Sequence, residues 1–230
     1  MADIIILDRI NKFYGNEVVF QVLFDINLSI KSGQFTAFIG PSGSGKSTLL
    51  NIIGLLESPT SGKVFLDGQD ISRLNKDELA AYRNEKIGFI FQFHYLLPEF
   101  TALENILIPY WIGKGRPPGE VVDRALHLMK RIGIEQLGGK YPNQLSGGQQ
   151  QRVAIARSLI NNPKIIFADE PTGNLDSKTS NMVMELLKEI VSENKTTLVM
   201  VTHDRDISAG ADRMIEIVDG RINFDSAHAD

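Results

Sequence analysis

Apolar and polar positions alternate along the first third of the chain, which is the pattern of strands that bury one face. A polar segment with helical character follows near residues 77–83, and Asp67-Gly68 separates two short apolar segments as a hairpin turn does. The opening is therefore predicted to be rich in β-structure. The predicted strands are residues 4–10, 22–30, 35–39 and 87–91.

The pattern changes to a helical period after residue 100 and returns to strands near residue 164. Thr101 and Glu104 have capping-box spacing and predict a helix to about residue 112, and Pro117-Pro118 marks the start of another to about residue 132. Buried strands that alternate with helices indicate an α/β fold with a mostly parallel sheet and a helical subdomain in its middle. The later predicted elements are strands 164–168, 197–201 and 213–218, an amphipathic helix 177–191 and a hairpin at Asp219-Gly220.

Composition narrows the class of protein. The 230 residues are 43% hydrophobic, enough for a sizeable core, and the absence of cysteine excludes disulfides and thiolate metal sites. A net charge of -4 argues against a broad nucleic-acid surface, so no nucleic-acid partner is expected. No apolar run approaches the roughly 18 residues that cross a bilayer, and the first residues lack the basic region of a signal peptide, so we expect a cytoplasmic chain.

A glycine-rich segment after the strand 35–39 has the GxxxxGK[ST] spacing of a phosphate-binding loop, with a predicted helix 48–56 behind it. Its glycines let backbone N–H groups surround an anion, Lys46 can reach the β- and γ-phosphates, and Ser47 can bind Mg²⁺. The segment predicts a nucleotide site. The loop residues are Gly40, Pro41, Ser42, Gly43, Ser44, Gly45, Lys46 and Ser47, with Thr48 next.

Two acidic residues follow the strand that ends at residue 168. Because ligands bind at the carboxyl ends of parallel strands, Asp169 is a candidate for the Mg²⁺ shell and Glu170 for orienting and deprotonating a water. Two acids after a strand are also typical of a turn or helix cap. His203 follows the strand 197–201 and could donate to the γ-phosphate, whereas His94, His127 and His228 are expected to be surface or packing residues.

A second anion-binding device lies at Leu145-Ser-Gly-Gly-Gln149, at the start of a predicted helix 150–160. The phosphate loop is already complete, so this device is best explained if it closes on a nucleotide held by another subunit. A homodimer with composite sites is therefore predicted, and a capped helix without ligand is the alternative. The residues concerned are Ser146, Gly147, Gly148 and Gln149.

Together these motifs resemble the ATP-binding cassette (ABC) ATPases over essentially the whole chain. The resemblance implies a P-loop NTPase fold with an N-terminal antiparallel β-subdomain, a mostly parallel core and a helical subdomain. It also implies a single domain over residues 1–230, with the core at 1–92 and 163–230 and the helical subdomain at about 93–162, and ATP and Mg²⁺ as cofactors.

Further residue roles come from the family alone. Tyr14 resembles the aromatic residue that stacks on adenine, although packing beside Phe13 is the alternative. Gln92 resembles the glutamine that contacts Mg²⁺ and the attacking water. Asp176 resembles the aspartate at the dimer seam.

Residues 91–105 and 171–176 are similar to a narrower group that contains macrolide exporters, cell-division ATPases and, most similar, lipoprotein-releasing ATPases. The resemblance implies ATP-driven lipoprotein release by integral membrane subunits, with this chain peripheral on the cytoplasmic face of the inner membrane. The apolar run 93–100 is expected to dock such a subunit, and a hydrophobic staple for the helix at Thr101 is the alternative. A DNA-repair ATPase is disfavoured because no heptads lie between the two glycine motifs.

Overall fold

The computed structural model describes residues 2–15 and 17–227, so His228 lies outside the described residues. The chain divides into two compact units, one of Met1–Ala80 with Asn194–Asp230 and one of Ala81–Glu193. The boundaries expected for the helical subdomain, 93 and 162, lie inside the second unit. The single-domain arrangement stays a prediction. None of the helices in the described part of the chain is long and apolar enough to cross a membrane.

The first unit begins with an antiparallel sheet, which confirms the β-rich opening. Its strands are β1 (Asp3–Tyr14), β2 (Phe20–Lys31), β4 (Ser61–Leu66) and β5 (Gln69–Asp70), in the order β2-β1-β4-β5. The alternation of buried and exposed residues in β1 and β2 turns one face to the core. Asp67-Gly68 forms the expected turn, with φ of 49° and 76°.

A second set of strands in this unit is mostly parallel and buried. Strand β3 (Phe35–Ile39) pairs in parallel with β8 (Thr197–Val201) and with β9 (Arg213–Val218), and β10 (Arg221–Asp225) returns antiparallel to β9. Helix α1 (Lys46–Ile53) ends three residues before the predicted end, because Gly54 caps it. Helices α2 (Lys76–Lys86) and α7 (Arg205–Ala209) complete the helices that begin in this unit.

The hairpin of β9 and β10 contains a buried ion pair. Arg213 is 6% exposed, and its Nε and Nη2 donate to the two carboxylate oxygens of Asp225 at 2.8 and 2.5 Å. Its Nη1 donates to the carbonyl oxygen of Ser29 in β2 at 2.6 Å. The Arg213 side chain, which projects from β9, therefore links β10 to β2 of the antiparallel sheet.

The second unit is mainly helical. Strand β6 (Ile87–Phe91) pairs in parallel with β7 (Ile165–Asp169), and α3 (Ala102–Lys114) begins at the predicted capping box of Thr101 and Glu104. The other helices are α4 (Gly119–Arg131), α5 (Gly147–Leu159) and α6 (Ser177–Asn194). Helices α3, α4 and α5 pack around a core that includes Ile106, Ala125, Met129, Val153 and Ala156.

Candidate functional site

The phosphate loop of the first unit joins β3 to α1. Lys46 is 8% exposed, and its ammonium donates to the carbonyl oxygens of Gly40 and Pro41 at 2.9 and 2.7 Å. Gly40 has φ of 138°, and a Cβ there would lie 2.0 Å from the carbonyl oxygen of Ile217. Gly45, with φ of 100°, is the residue before the first turn of α1. The backbone therefore requires glycine at both positions.

Most of the remaining loop residues are exposed, so the loop is accessible to an anion from solvent. Pro41, Ser42 and Gly43 are exposed, while Ser44 is 3% exposed and its hydroxyl lies 3.4 Å from the Lys46 ammonium. Ser47 is also exposed, and Thr48 is half-buried in the first turn of α1. Backbone N–H groups at a helix start with a lysine beside them form a site for phosphate.

His203 lies near this loop by topology. Strands β3 and β8 are parallel neighbours, with Phe38 opposite Val201, so their carboxyl ends share one edge. His203 is exposed just past β8, and Asp204 behind it caps α7 by accepting from the backbone N–H groups of Asp206 and Ile207. The structure therefore brings the predicted histidine to the edge that carries the phosphate loop.

Tyr14 has well-defined partners. Its hydroxyl donates to Glu57 at 2.7 Å, its ring stacks with Phe20 at 5.9 Å, and the Lys12 ammonium lies 4.9 Å from the ring centre. Burial and the bond to Glu57 raise the pKa of Tyr14. Stacking of Tyr14 on adenine stays a prediction, as does the alternative in which the ring only packs.

The second unit brings two predicted catalytic side chains together. Phe91 pairs with Asp169, so Gln92 and Glu170 leave parallel strands at the same edge. A Cβ placed on Gly173 would lie 2.9 Å from Gln92 Nε2 and 3.4 Å from Glu170 Oε2. Glu170 has φ of 45°, a left-handed conformation that is strained for a residue with a side chain. The Gln92 and Glu170 side chains therefore converge over Gly173.

The predicted signature is a capped helix start. Ser146 accepts from the Gln149 N–H at 3.3 Å, and the Gln149 side chain accepts from the Ser146 N–H at 2.9 Å. The signature and Asp176 line one groove of about 400 Å³. The pKa of Asp176 is lowered by hydrogen bonds from Thr179. The lining residues are Gly133, Ser146, Gly147, Gly148, Gln149, Arg152, Asn174, Leu175, Asp176 and Thr179.

The apolar run 93–100, which is expected to dock a membrane subunit, is partly exposed and partly packed against the protein. Phe93, Tyr95 and Leu97 are 61%, 64% and 43% exposed, whereas Leu96 packs against the helical core of the second unit. Phe100 contacts Trp111 edge-on at 6.2 Å. The run therefore has a core-facing side that orders it and an outward-facing side, and we call Phe93, Tyr95 and Leu97 the outer patch.

Two arginines of α5 that the sequence pattern does not single out contact neighbouring segments. Arg152 lines the signature groove and donates to the carbonyl oxygen of Ile132 at 3.1 Å. Arg157 donates to the carbonyl oxygens of His94 and Tyr95 at 2.6 and 2.7 Å, so α5 holds the segment behind Gln92. Burial, and to a smaller extent the positive charge of Arg157, lowers the pKa of His94. Both arginines lie among the buried residues of α5. A charged residue beside an apolar run in a helix is the sequence signal that could have identified them.

Comparison with known proteins agrees with these motifs. The family model described as "ABC transporter" matches residues 23–173. The chain is 47% identical over 224 residues to "Lipoprotein-releasing system ATP-binding protein LolD 1" of Rhodopseudomonas palustris, covering 96% of this chain and 99% of that protein. It is also 47% identical to the LolD protein of Aquifex aeolicus, covering 96% of this chain and 97% of that one.

A solved structure shows the same fold. The dimeric post-hydrolysis state of the ATP-binding cassette MJ0796, bound to ADP and Pi, superposes with a TM-score of 0.89 at 46% sequence identity. The match covers 96% of this chain and 97% of that chain.

Proposed function

The chain belongs to the ABC transporter family as one of its ATP-binding cassette ATPases, and from that premise we propose that it powers the release of lipoproteins from a membrane. The observation that carries the proposal is the 47% identity, over nearly the full length of both chains, to proteins named as ATP-binding subunits of lipoprotein-releasing systems. We further propose that it acts as a peripheral protein on the cytoplasmic face of the inner membrane, together with integral membrane subunits.

Nucleotide binding is proposed to use the phosphate loop of the first unit. The backbone N–H groups of residues 42–48 and the Lys46 ammonium bind the phosphates of ATP, and Tyr14 supplies the aromatic surface for adenine. Mg²⁺ would neutralise phosphate charge during hydrolysis. Ser47, Asp169 and Gln92 each carry a side-chain oxygen of the kind that this hard cation prefers.

Hydrolysis is proposed to use Glu170 as the general base. Its carboxylate can accept the proton of an attacking water while the Gln92 amide, which shares the space over Gly173, orients that water. His203 is proposed to donate a hydrogen bond to the γ-phosphate. The convergence of Gln92 and Glu170 over Gly173 supports the roles of these two residues.

The Glu170→Gln variant tests hydrolysis. It keeps the size of the side chain but removes the base, so we expect ATP binding to persist while kcat falls by about 10²- to 10⁴-fold. Glu189→Gln, an exposed change on α6, is the matched control and is expected to hydrolyse ATP at the normal rate. Wild-type turnover by pure Glu170→Gln protein would overturn the assignment of Glu170.

The outer patch is proposed to dock a short cytoplasmic helix of a membrane subunit. Exposed aromatic side chains are the anchors of many interfaces, and truncating one at a hot spot costs about 2 kcal/mol or more. Arg157 and the packing of Leu96 fix the backbone from which these anchors project. A preformed loop reduces the entropy lost on binding.

Changing Phe93 and Tyr95 together to serine tests docking. We expect the isolated variant to melt normally and to hydrolyse ATP at its basal rate, yet to lose copurification with its membrane subunits. Ile112→Ser, a change at a 77% exposed position on α3, is the control for loss of exposed apolar surface. A lower melting temperature with intact copurification would instead favour the staple. Identification of the copurified subunits and their cargo tests lipoprotein release.

A further inference from the structure

Gln151 is an unusual residue for its position. It lies in α5 with 0% of its surface exposed, and its Nε2 donates to the carbonyl oxygen of Pro171 at 2.6 Å. Its Oε1 is buried and has no hydrogen-bond partner within residues 2–15 and 17–227. An unsatisfied buried polar atom destabilises a fold, and methionine could fill a similar volume without one. Stability alone therefore does not explain an amide here.

The bond from Gln151 is made next to the strained part of the candidate catalytic loop. Pro171 follows Glu170, whose φ is 45°. The turn is closed by the Gly173 N–H, which donates to the Glu170 carbonyl oxygen at 3.0 Å. A left-handed non-glycine residue persists only when its surroundings hold it. The Gln151 side chain holds the carbonyl of Pro171, the residue immediately after Glu170.

The same helix begins at the signature. Ser146 caps α5 and Gln151 lies five residues later, about 7.5 Å along a helix with a rise of 1.5 Å per residue. A rigid helix of this length moves as one body. The position of Pro171 is therefore tied to the helix whose start lines the signature groove.

We propose that Gln151 is a positioning residue for hydrolysis, which holds the Glu170 backbone in its left-handed conformation and so keeps the carboxylate over Gly173 beside Gln92. This inference rests on the proposed role of Glu170 as the base. Without the bond to Pro171, the Glu170 backbone relaxes toward an unstrained conformation and its carboxylate leaves that position. Binding of ATP uses other residues and does not change.

The Gln151→Met variant removes the donor and keeps the length of the side chain. We expect kcat to fall by about tenfold or more while KM for ATP stays within about twofold, the pattern of an interaction that acts on the chemical step. The melting temperature is expected to be unchanged or higher, since an unsatisfied oxygen is removed. A kcat close to that of the wild type would overturn the proposal, as would an equal loss of ATP binding.

Two further variants separate positioning from a general effect on folding. Gln151→Asn keeps a buried amide that is too short to reach Pro171, so it should lose kcat as Gln151→Met does, and normal turnover would contradict the proposal. Ser158→Ala is the control, because it removes another buried hydrogen bond of α5, from the Ser158 hydroxyl to the Ile155 carbonyl oxygen at 2.7 Å. It should leave kcat intact.

A double variant tests whether Gln151 acts through Glu170. In Glu170→Gln protein the base is already lost, so adding Gln151→Met should not lower the residual rate further. A further fall equal to that in the wild-type background would overturn the proposal. The Glu170→Gln single variant distinguishes the two failures: if it retains wild-type turnover the proposed function of Glu170 fails, whereas normal turnover in Gln151→Met alone removes only the role of Gln151.

Discussion

Gly173 leaves little room for the candidate catalytic side chains beside it. In Gly173→Ala the new methyl group would lie 2.9 Å from Gln92 Nε2, and the flexible end of that side chain can move away at small cost to stability. We expect an unchanged melting temperature and a kcat about tenfold lower, because small displacements of catalytic groups are costly. Steady-state kinetics of the pure protein would check this.

The control is Gly139→Ala, where a Cβ meets nothing within 4 Å. Equal losses of kcat in the two alanine variants would show that space over Gly173 is not the cause.

Glu57 makes the first unit sensitive to acid. Burial opposes its ionised form, but hydrogen bonds from Lys12 and Tyr14 outweigh burial and lower the pKa of Glu57 below its usual value near 4.5. A lowered pKa stabilises the fold above the unfolded-state pKa, and that contribution is lost as the pH falls through the folded-state value. Glu57→Gln should therefore be less stable than the wild type at pH 7, with a difference that shrinks below about pH 4.5.

Urea unfolding of both proteins at pH 7, 5 and 3.5 measures that difference. A difference that stays constant with pH would mean that the charge of Glu57 contributes nothing to stability.

At the residue scale, the sequence predicted which residues lie at strand ends better than it predicted the contacts that hold them. Strand-end residues such as Asp169 and His203 follow from pattern, since a parallel sheet delivers them to one edge. The partner of Gln151 is a backbone carbonyl twenty residues away, and the left-handed φ of Glu170 depends on a loop whose closure is set by tertiary contacts. Neither leaves a periodic signal in the chain.

At the scale of elements, Asn105 orders the segment that carries the outer patch. It is 0% exposed, and its side chain bonds to the N–H and carbonyl of Leu97 and to the carbonyls of Phe100 and Thr101, at 2.8 to 3.1 Å. Asn105→Ala should lower the free energy of unfolding by about 3 kcal/mol, because several buried backbone groups lose their partner.

Thr101→Ala, which removes only the cap of α3, should lower the free energy of unfolding by about 1 kcal/mol. Urea unfolding of the two variants measures both losses of unfolding free energy. A loss in Asn105→Ala no larger than that in Thr101→Ala would contradict the role of Asn105 in ordering this segment.

Elements with strong local signals were predicted well. The capping box placed α3, and the strands 35–39, 87–91, 197–201 and 213–218 match the observed bounds. Helix ends were less accurate, because α1 stops at a glycine cap and α3 continues to Lys114. The mixed exposure of the segment 93–100 was missed because a loop has no period from which a buried side can be read.

At the scale of the whole molecule, the signature groove predicts assembly. Its capped helix start and Asp176 line a space that suits a phosphate presented by a second copy of the chain. Glu170→Gln protein with ATP should therefore sediment as a dimer. Adding Ser146→Arg, which fills the groove with a bulky cation, should leave monomers.

Ser192→Arg on the exposed face of α6 adds the same charge elsewhere and is the control, which should still form dimers with ATP. If the Ser146→Arg variant still forms dimers, the signature does not lie at the dimer interface. The MJ0796 cassette is described as dimeric, which favours the expected outcome.

The ion pair of Arg213 and Asp225 limits where the C-terminal end of this chain can be truncated or joined to a fusion partner. A shortened chain that stops before Asp225 would leave a buried guanidinium without its counter-ion, and breaking such a pair costs about 3–5 kcal/mol. Because Arg213 also holds Ser29, the damage would reach the sheet that carries Tyr14. Affinity tags and fluorescent fusions for the experiments above should therefore be joined after Asp225, through a spacer that leaves its carboxylate in place.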